Sequence, residues 1–254
     1  MKNEEHFASV YDYLMEDAPY DRWLEYTTAF LPAGSRVLDL ACGTCTFTIM
    51  LQEAGFNASG TDLSQDMLTI GEEKIRERKL EIPLYRQDMR ELTGFNNLDG
   101  ITLFCDGLNY LLTEEDVQQA FKKAYSALKP GGILLFDVHS LFKMNTIFND
   151  QMYGENGEDI SYIWFCTPGR EPDSVEHSLT FFLKTHTGLY ERKDEEQFQR
   201  TFPPEIYKTW LQEAGFSKVE ITGDFGRREP LETDERIFIK AEKNSRNSSD
   251  GREI

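Results

Sequence analysis

Residues 37–48 read VLDLACGTCTFT, and the fold turns on how this stretch is parsed. Arg36 to Leu40 is a short apolar run preceded by Pro32-Ala33-Gly34, the pattern of a buried strand. Small residues follow at Ala41 and Gly43, and a helical pattern then runs to about Ala54, with Gly55 as its stop. Strand, tight turn and helix make a β-loop-α unit. Inside the turn sits Cys42-Gly43-Thr44-Cys45, whose C-x-x-C spacing also occurs in redox and zinc sites. The other two cysteines, Cys105 and Cys166, supply no second C-x-x-C for a four-thiolate zinc site, so no metal is called for and the thiols are expected to be reduced. The turn is therefore read as a close backbone approach to a ligand: small side chains let N–H groups come near it, and the helix N-terminus adds positive potential.

Outward from this unit the pattern repeats. Strands are expected over 57–60, 82–85, 98–104 and 132–138, separated by helices over 64–79 and 114–128. Upstream, Phe7, Val10, Tyr11 and Leu14, then Trp23, Leu24, Thr27 and Leu31, fall at helical spacing on either side of Asp17-Ala18-Pro19, which predicts two leading helices. Strands alternating with helices imply a parallel sheet covered on both faces. Right-handed crossovers then bring the C-terminal ends of the strands to one edge, where ligands of open α/β sheets bind. Asp39, Asp62, Asp88, Cys105, Asp106 and His139 all fall at or just beyond strand ends.

Residues 141–200 have a different texture. Segments 161–166, 176–184 and 189–198 are rich in aromatic and β-branched residues and are divided by TPGREPDS and THTG, which predicts an antiparallel insertion. It enters after the fifth strand, on the ligand edge, where it can serve as a lid or substrate platform. Alternation puts Tyr162 and Trp164 on one face. The first domain, residues 1–140, resumes at 201–242 with a helix over 204–214 and strands over 217–222 and 235–241. The polar tail 243–254 is expected to be disordered.

The 254 residues, 39% of them hydrophobic, can bury a substantial core. A formal net charge of −18 repels phosphate backbones and makes nucleic acid a disfavoured partner. The opening residues lack the basic start and apolar run of a signal peptide, and no stretch is long enough to span a bilayer. The expectation is a cytoplasmic protein without a membrane partner; a homodimer is compatible with the chain.

Asp62 ends the second strand, where an acidic side chain can accept from two vicinal ribose hydroxyls, while Ser64 suits the N-cap of the next helix. Turn and acid together favour an adenosine ligand. At this point VLDLACGTCTFT, GTDLSQDML, LYRQDMREL and LKPGGILLFDVHS, in this order and spacing, resemble the class I S-adenosylmethionine-dependent methyltransferases. The resemblance spans 7–140 and 204–242, and the leader FASVYDYLMEDAPYDRW is similar to a bacterial small-molecule-type group. It implies a seven-stranded Rossmann-like sheet, mostly parallel with the last strand antiparallel, and S-adenosyl-L-methionine as cofactor. It further implies that Asp39 and the backbone of Ala41 and Gly43 hold the methionine end, that Asp62 binds the ribose and that Met67 lines the adenine pocket. Asp88 would accept from the adenine amino group, with the Met89 N–H against the ring. Cys105 would face the methionine portion, and Tyr11 and Tyr20 would close over the cofactor. The family usually has glycine where Cys45 stands.

Methyl transfer from a sulfonium needs alignment and exclusion of water more than a nucleophile, although a base can remove a proton from an ammonium or hydroxyl acceptor. His139 and Tyr110 are the candidate catalytic residues, and Asn109-Tyr110 lies in the loop where an acceptor would make contact. The expected acceptor is a small molecule. An RNA or protein methyltransferase is the alternative within this chemistry. A nicotinamide-binding oxidoreductase would share the turn and Asp62 but not the RQDM element.

Overall fold

The computed structural model describes residues 4–245. Helices α1 (Glu4–Leu14) and α2 (Tyr20–Thr28) lead into β1 (Arg36–Leu40), α3 (Thr46–Glu53), β2 (Asn57–Asp62), α4 (Gln65–Glu77) and β3 (Leu84–Arg86). Then follow β4 (Leu98–Leu103), α5 (Glu114–Ala127) and β5 (Leu128–His139). Local chemistry sets these bounds: Ser64 and Thr113 cap α4 and α5 by accepting the Met67 and Asp116 N–H groups at 3.3 and 3.2 Å. After an insertion come α6 (Pro204–Ala214), closed by Gly215 at φ 111°, then β10 (Phe216–Thr222) and β11 (Arg236–Lys243). The seven strands order as β10-β11-β5-β4-β1-β2-β3, and β11 runs antiparallel to both neighbours. This is the expected α/β sheet. Alternate residues face opposite layers: Leu38 and Leu134 pack towards Phe121 and Leu211 of α5 and α6, whereas Val37 and Leu135 pack towards Trp23 and Leu51.

The insertion forms a second sheet, in which β6 (Gln151–Asn156), β7 (Ile160–Pro168), β8 (Ser174–Lys184) and β9 (Tyr190–Arg200) are successive antiparallel neighbours. Three of these strands match the sequence expectation; β6 does not, because QMYGEN carries little strand propensity and is selected by pairing with β7 at the sheet edge. Tyr162 and Trp164 do share a face, and it packs with Leu179 and Phe181 against Val10 and Leu14 of α1. The other face leaves Met152, Ile163 and Phe165 exposed. Strand β11 continues through Lys243, whose Nζ donates to the Tyr125 and Leu128 carbonyls, each at 2.7 Å, so Lys243 belongs to the sheet rather than to the tail. The tail beyond residue 245 lies outside the described residues. Among the described residues no helix is long and apolar enough to cross a membrane.

Candidate active site

The turn after β1 is left-handed at every second residue, with φ of 56° at Ala41, 54° at Gly43 and 63° at Cys45. Glycine adopts this region freely, while Ala41 and Cys45 each carry strain on the order of 1 kcal/mol. Glycine at position 45 would carry no such strain. The Gly43 N–H donates to Asp62 Oδ2 and the Ser64 N–H to Oδ1, both at 2.8 Å, so the carboxylate at the end of β2 is fixed against the turn. Such a turn followed by a helix N-terminus suits a carboxylate, and the held Asp62 suits a pair of vicinal hydroxyls. A Cβ at Gly43 would meet only the Tyr11 ring, at 3.6 Å, so α1 lays that aromatic over the turn.

Next to it Asp12 accepts from the Thr44 hydroxyl at 2.6 Å and from Lys74 Nζ at 2.8 Å, and Lys74 also reaches the Thr46 hydroxyl at 2.6 Å. This clasp joins α1, the turn and α4. Sequence reasoning missed it, since three remote stretches contribute to it and none carries a pairing signal.

Asp39 lies beneath the turn rather than in the cleft. It is 3% exposed and accepts from the Thr48 hydroxyl at 2.6 Å and the Thr102 hydroxyl at 3.0 Å, which locks α3 to β4. Burial raises its pKa to about 7, and the two hydroxyls hold it from going higher. Met67 is buried in the first turn of α4, and Leu63, just before the helix, is exposed. Asp88 caps the short 3-10 turn Met89–Glu91 through the Arg90 N–H at 2.8 Å, and its carboxylate also binds the Arg90 guanidinium at 2.5 Å. A ligand amino group would share Asp88 with this arginine.

At the end of β4 the backbone is left-handed twice, at Cys105 (φ 55°) and Asp106 (φ 54°), a strained pair of the kind that collects at functional sites. Gly107 follows closely enough that a Cβ there would lie 3.2 Å from Ala41, which sets this loop beside the first turn. Asp106 is where core and cap meet. Its Oδ1 accepts from Arg236 at 2.9 Å and its Oδ2 from Gln199 of β9 at 2.7 Å, with His139 Nε2 at 3.5 Å. Arg236 also binds Asp137 at 3.0 Å; Asp137 accepts the Trp23 indole N–H at 2.8 Å and the Asp106 N–H at 3.1 Å. Burial alone would raise the Asp106 pKa, but His139 and Arg236 pull it well below the usual carboxylate range. From Gln199 the chain continues to His177 Nε2 at 3.2 Å, whose Nδ1 accepts from the Trp164 indole at 3.0 Å.

His139 is 4% exposed, and its Nδ1 has no hydrogen-bond partner among the described residues. Burial lowers its pKa to about 4 against the pull of Asp106, so the ring is neutral near pH 7. Tyr110, 43% exposed, donates to Gln197 of β9 at 3.0 Å. Burial pushes the phenols of Tyr11 and Tyr20 well above their ordinary value, and Cys105 adds to the rise, so both stay protonated. Asn109 does not meet the expectation of an acceptor contact. It is fully buried and bridges the Arg200 carbonyl, at 2.8 Å, to the His139 N–H, at 3.0 Å. A groove of about 450 Å3 lined by Arg36, Asn57, Ser59, Tyr85 and Phe95 lies at the opposite, N-terminal edge of the strands.

This edge thus brings together a turn suited to an anion, a carboxylate suited to vicinal hydroxyls, aromatic side chains and a charged network tied to the cap. Comparison with known proteins agrees. The family model described as "Methyltransferase domain" matches residues 37–132. A protein of Geobacillus sp. (strain WCH70) that bears a methyltransferase name is 47% identical over 244 residues, spanning 94% of this chain and 99% of that one. The crystal structure of an S-adenosylmethionine-dependent methyltransferase from Clostridium acetobutylicum ATCC 824 superposes with a TM-score of 0.83 at 28% identity, covering 94% of this chain and 98% of the other. The sugar N-methyltransferase KedS8 from Streptoalloteichus sp. ATCC 53650 shares the fold, with a TM-score of 0.72 at 22% identity over 91% of each chain. The chain belongs to the class I S-adenosylmethionine-dependent methyltransferases.

Proposed function

We propose that this methyltransferase acts on a small polar molecule held between the cap sheet and the C-terminal ends of β4 and β5. The observation that carries the reading is the way β9 crosses the cleft: Gln199 on Asp106, Gln197 on Tyr110, and Arg200 Nη1 on the Leu112 carbonyl at 2.9 Å. A strand whose end is pinned to the core by polar contacts narrows the approach to this edge, which favours a small acceptor over a polymer. The net charge of −18 also disfavours RNA, and KedS8, which shares this fold, is described as a sugar N-methyltransferase.

The cofactor supplies an electrophilic methyl group on a sulfonium. In this reading the Ala41–Gly43 backbone takes its carboxylate, Asp62 its ribose hydroxyls, and Leu63, Met67, Asp88 and Met89 surround the adenine. Asp39 acts from beneath by fixing the turn. Tyr11, Tyr20 and Cys105 shield the sulfonium; neutral phenol rings favour a cation there without competing for the methyl as phenolates would. Tyr110 orients the acceptor. His139, neutral and held by Asp106, can take a proton from an acceptor that reaches Nδ1.

The test is incubation of the purified protein with methyl-labelled cofactor and, in parallel, small amines, alcohols and acids, total RNA, and cell protein. Label in the small-molecule fraction is expected, with Tyr110→Phe raising KM about tenfold, the loss of one hydrogen bond to a bound ligand. Label confined to RNA or protein overturns the reading.

A further inference from the structure

The C-x-x-C spacing is fortuitous for a zinc site, yet the fold brings its two sulfurs together. Cys42 Sγ lies 3.7 Å from Cys45 Sγ, and the Cys45 N–H donates to the Cys42 carbonyl at 2.9 Å in a hydrogen-bonded turn. Such a turn holds its end Cα atoms less than 7 Å apart, in the range a disulfide spans. Two further features are built around the sulfurs. Cys45 takes a left-handed conformation that glycine would adopt without strain. Gly71, inside α4 where glycine is the least helix-favouring ordinary residue, stands where a Cβ would meet Cys45 Sγ at 2.4 Å, and a Cβ at Gly60 would meet Cys42 Sγ at 2.9 Å. The neighbouring backbone is thus hollowed out on both sides of the pair. Cys42 is half-buried and Cys45 fully buried, so a small oxidant meets Cys42 first.

We propose that Cys42 and Cys45 are a reversible oxidation site at which a peroxide closes a disulfide and weakens cofactor binding. The Cys42 sulfur, losing its proton, attacks one peroxide oxygen; the O–O bond breaks, one water leaves and Cys42 becomes a sulfenic acid. The Cys45 sulfur, losing its proton, attacks the Cys42 sulfur; the S–S bond forms, the S–O bond breaks and a second water leaves. Two thiols give up two electrons and two protons, and the peroxide is reduced to two waters. The bond draws the sulfurs from 3.7 Å to about 2.0 Å beside the Gly43 carbonyl, which both approach, and so pulls on the residue whose N–H anchors Asp62. A turn shortened in this way no longer holds Gly43 against Asp62, and the carboxylate that takes the ribose hydroxyls loses its anchor.

The effect on binding rests on the placement of the cofactor proposed above, whereas disulfide formation does not. The reduced full-length chain is treated with hydrogen peroxide, blocked by alkylation and mapped by mass spectrometry, and S-adenosylhomocysteine affinity is measured by calorimetry before and after. The expected result is loss of two hydrogens from the peptide holding both cysteines, with Kd at least tenfold weaker and restored by dithiothreitol. Cys45→Gly, which suits the left-handed backbone, and Cys45→Ser should each show the same Kd with and without peroxide. If both thiols of the native protein remain alkylatable after peroxide, if the disulfide forms with Kd unchanged, or if Cys45→Gly loses affinity on oxidation, the inference is overturned. Failure of the cofactor placement reads out separately, as Asp62→Ala leaving Kd unchanged in the reduced protein.

Discussion

Asp106, half-buried, and Asp39, buried, are carboxylates near the ends of adjacent strands that are held in opposite ways. Asp106 is kept ionised by Arg236 and its position beside His139, so replacing it with asparagine removes the charge that Arg236 pairs with and sets an amide N–H2 against either Arg236 or the Gln199 Nε2 donor. Asp106→Asn is expected to cost about 3 kcal/mol, the scale for breaking a buried pair, read as a lower urea midpoint. The pH dependence has two parts of opposite sign. His139 is lowered from 6.5 to about 4, so between those values the unfolded chain binds the extra proton and stability rises with pH. Asp39 is raised from 3.8 to about 7, so between those values the folded chain binds the extra proton and stability falls as pH rises. Urea denaturation at a series of pH values should therefore show His139→Gln losing the rise between about 4 and 6.5. Asp39→Asn should lose the fall between about 4 and 7; parallel curves for either variant would contradict the assignment.

Among the elements, α1 and the end of β9 show what a segment's neighbours can do that its own sequence does not. The Tyr11 and Asp12 positions of α1 meet the turn after β1, and Val10 and Leu14 meet the cap sheet, so one helix serves two domains. Its amphipathic spacing was legible; the two surfaces it divides were not, because periodicity marks an apolar face without naming what covers it. Asn109 is the corresponding bracket on the other side of the cleft. Asn109→Ala strands a buried carbonyl at Arg200 and a buried N–H at His139, and a loss of about 2–3 kcal/mol is expected in thermal or urea unfolding. Local exchange should rise at the end of β9 in the same variant.

For the molecule as a whole, the clasp of Asp12, Lys74, Thr44 and Thr46 couples the turn after β1 to the helix beneath the cap. Cofactor binding is therefore expected to slow amide exchange in α1 and in β8–β9 as well as in the turn; protection confined to residues 39–62 would show the two sheets to be independent. The β-loop-α unit at 36–54, the alternation of strands and helices, and the antiparallel texture of the insertion were readable directly, because burial imposes periods of 2 and 3.6 on the residues that carry it. The acids at strand ends were readable as well, since topology sends those ends to one edge. Edge strand β6 was not, and neither were the roles of Asn109, Gln199, Arg236 and Lys74, because polar pairing between residues far apart in the chain leaves no local pattern. The sequence by itself determined the sheet, its ligand edge and the family. Only the tertiary structure decided that Asp39 supports the turn from below, that Asp106 ties core to cap, and that the sulfurs of a chance-looking C-x-x-C stand in contact, since each depends on distances that close only when separate elements pack.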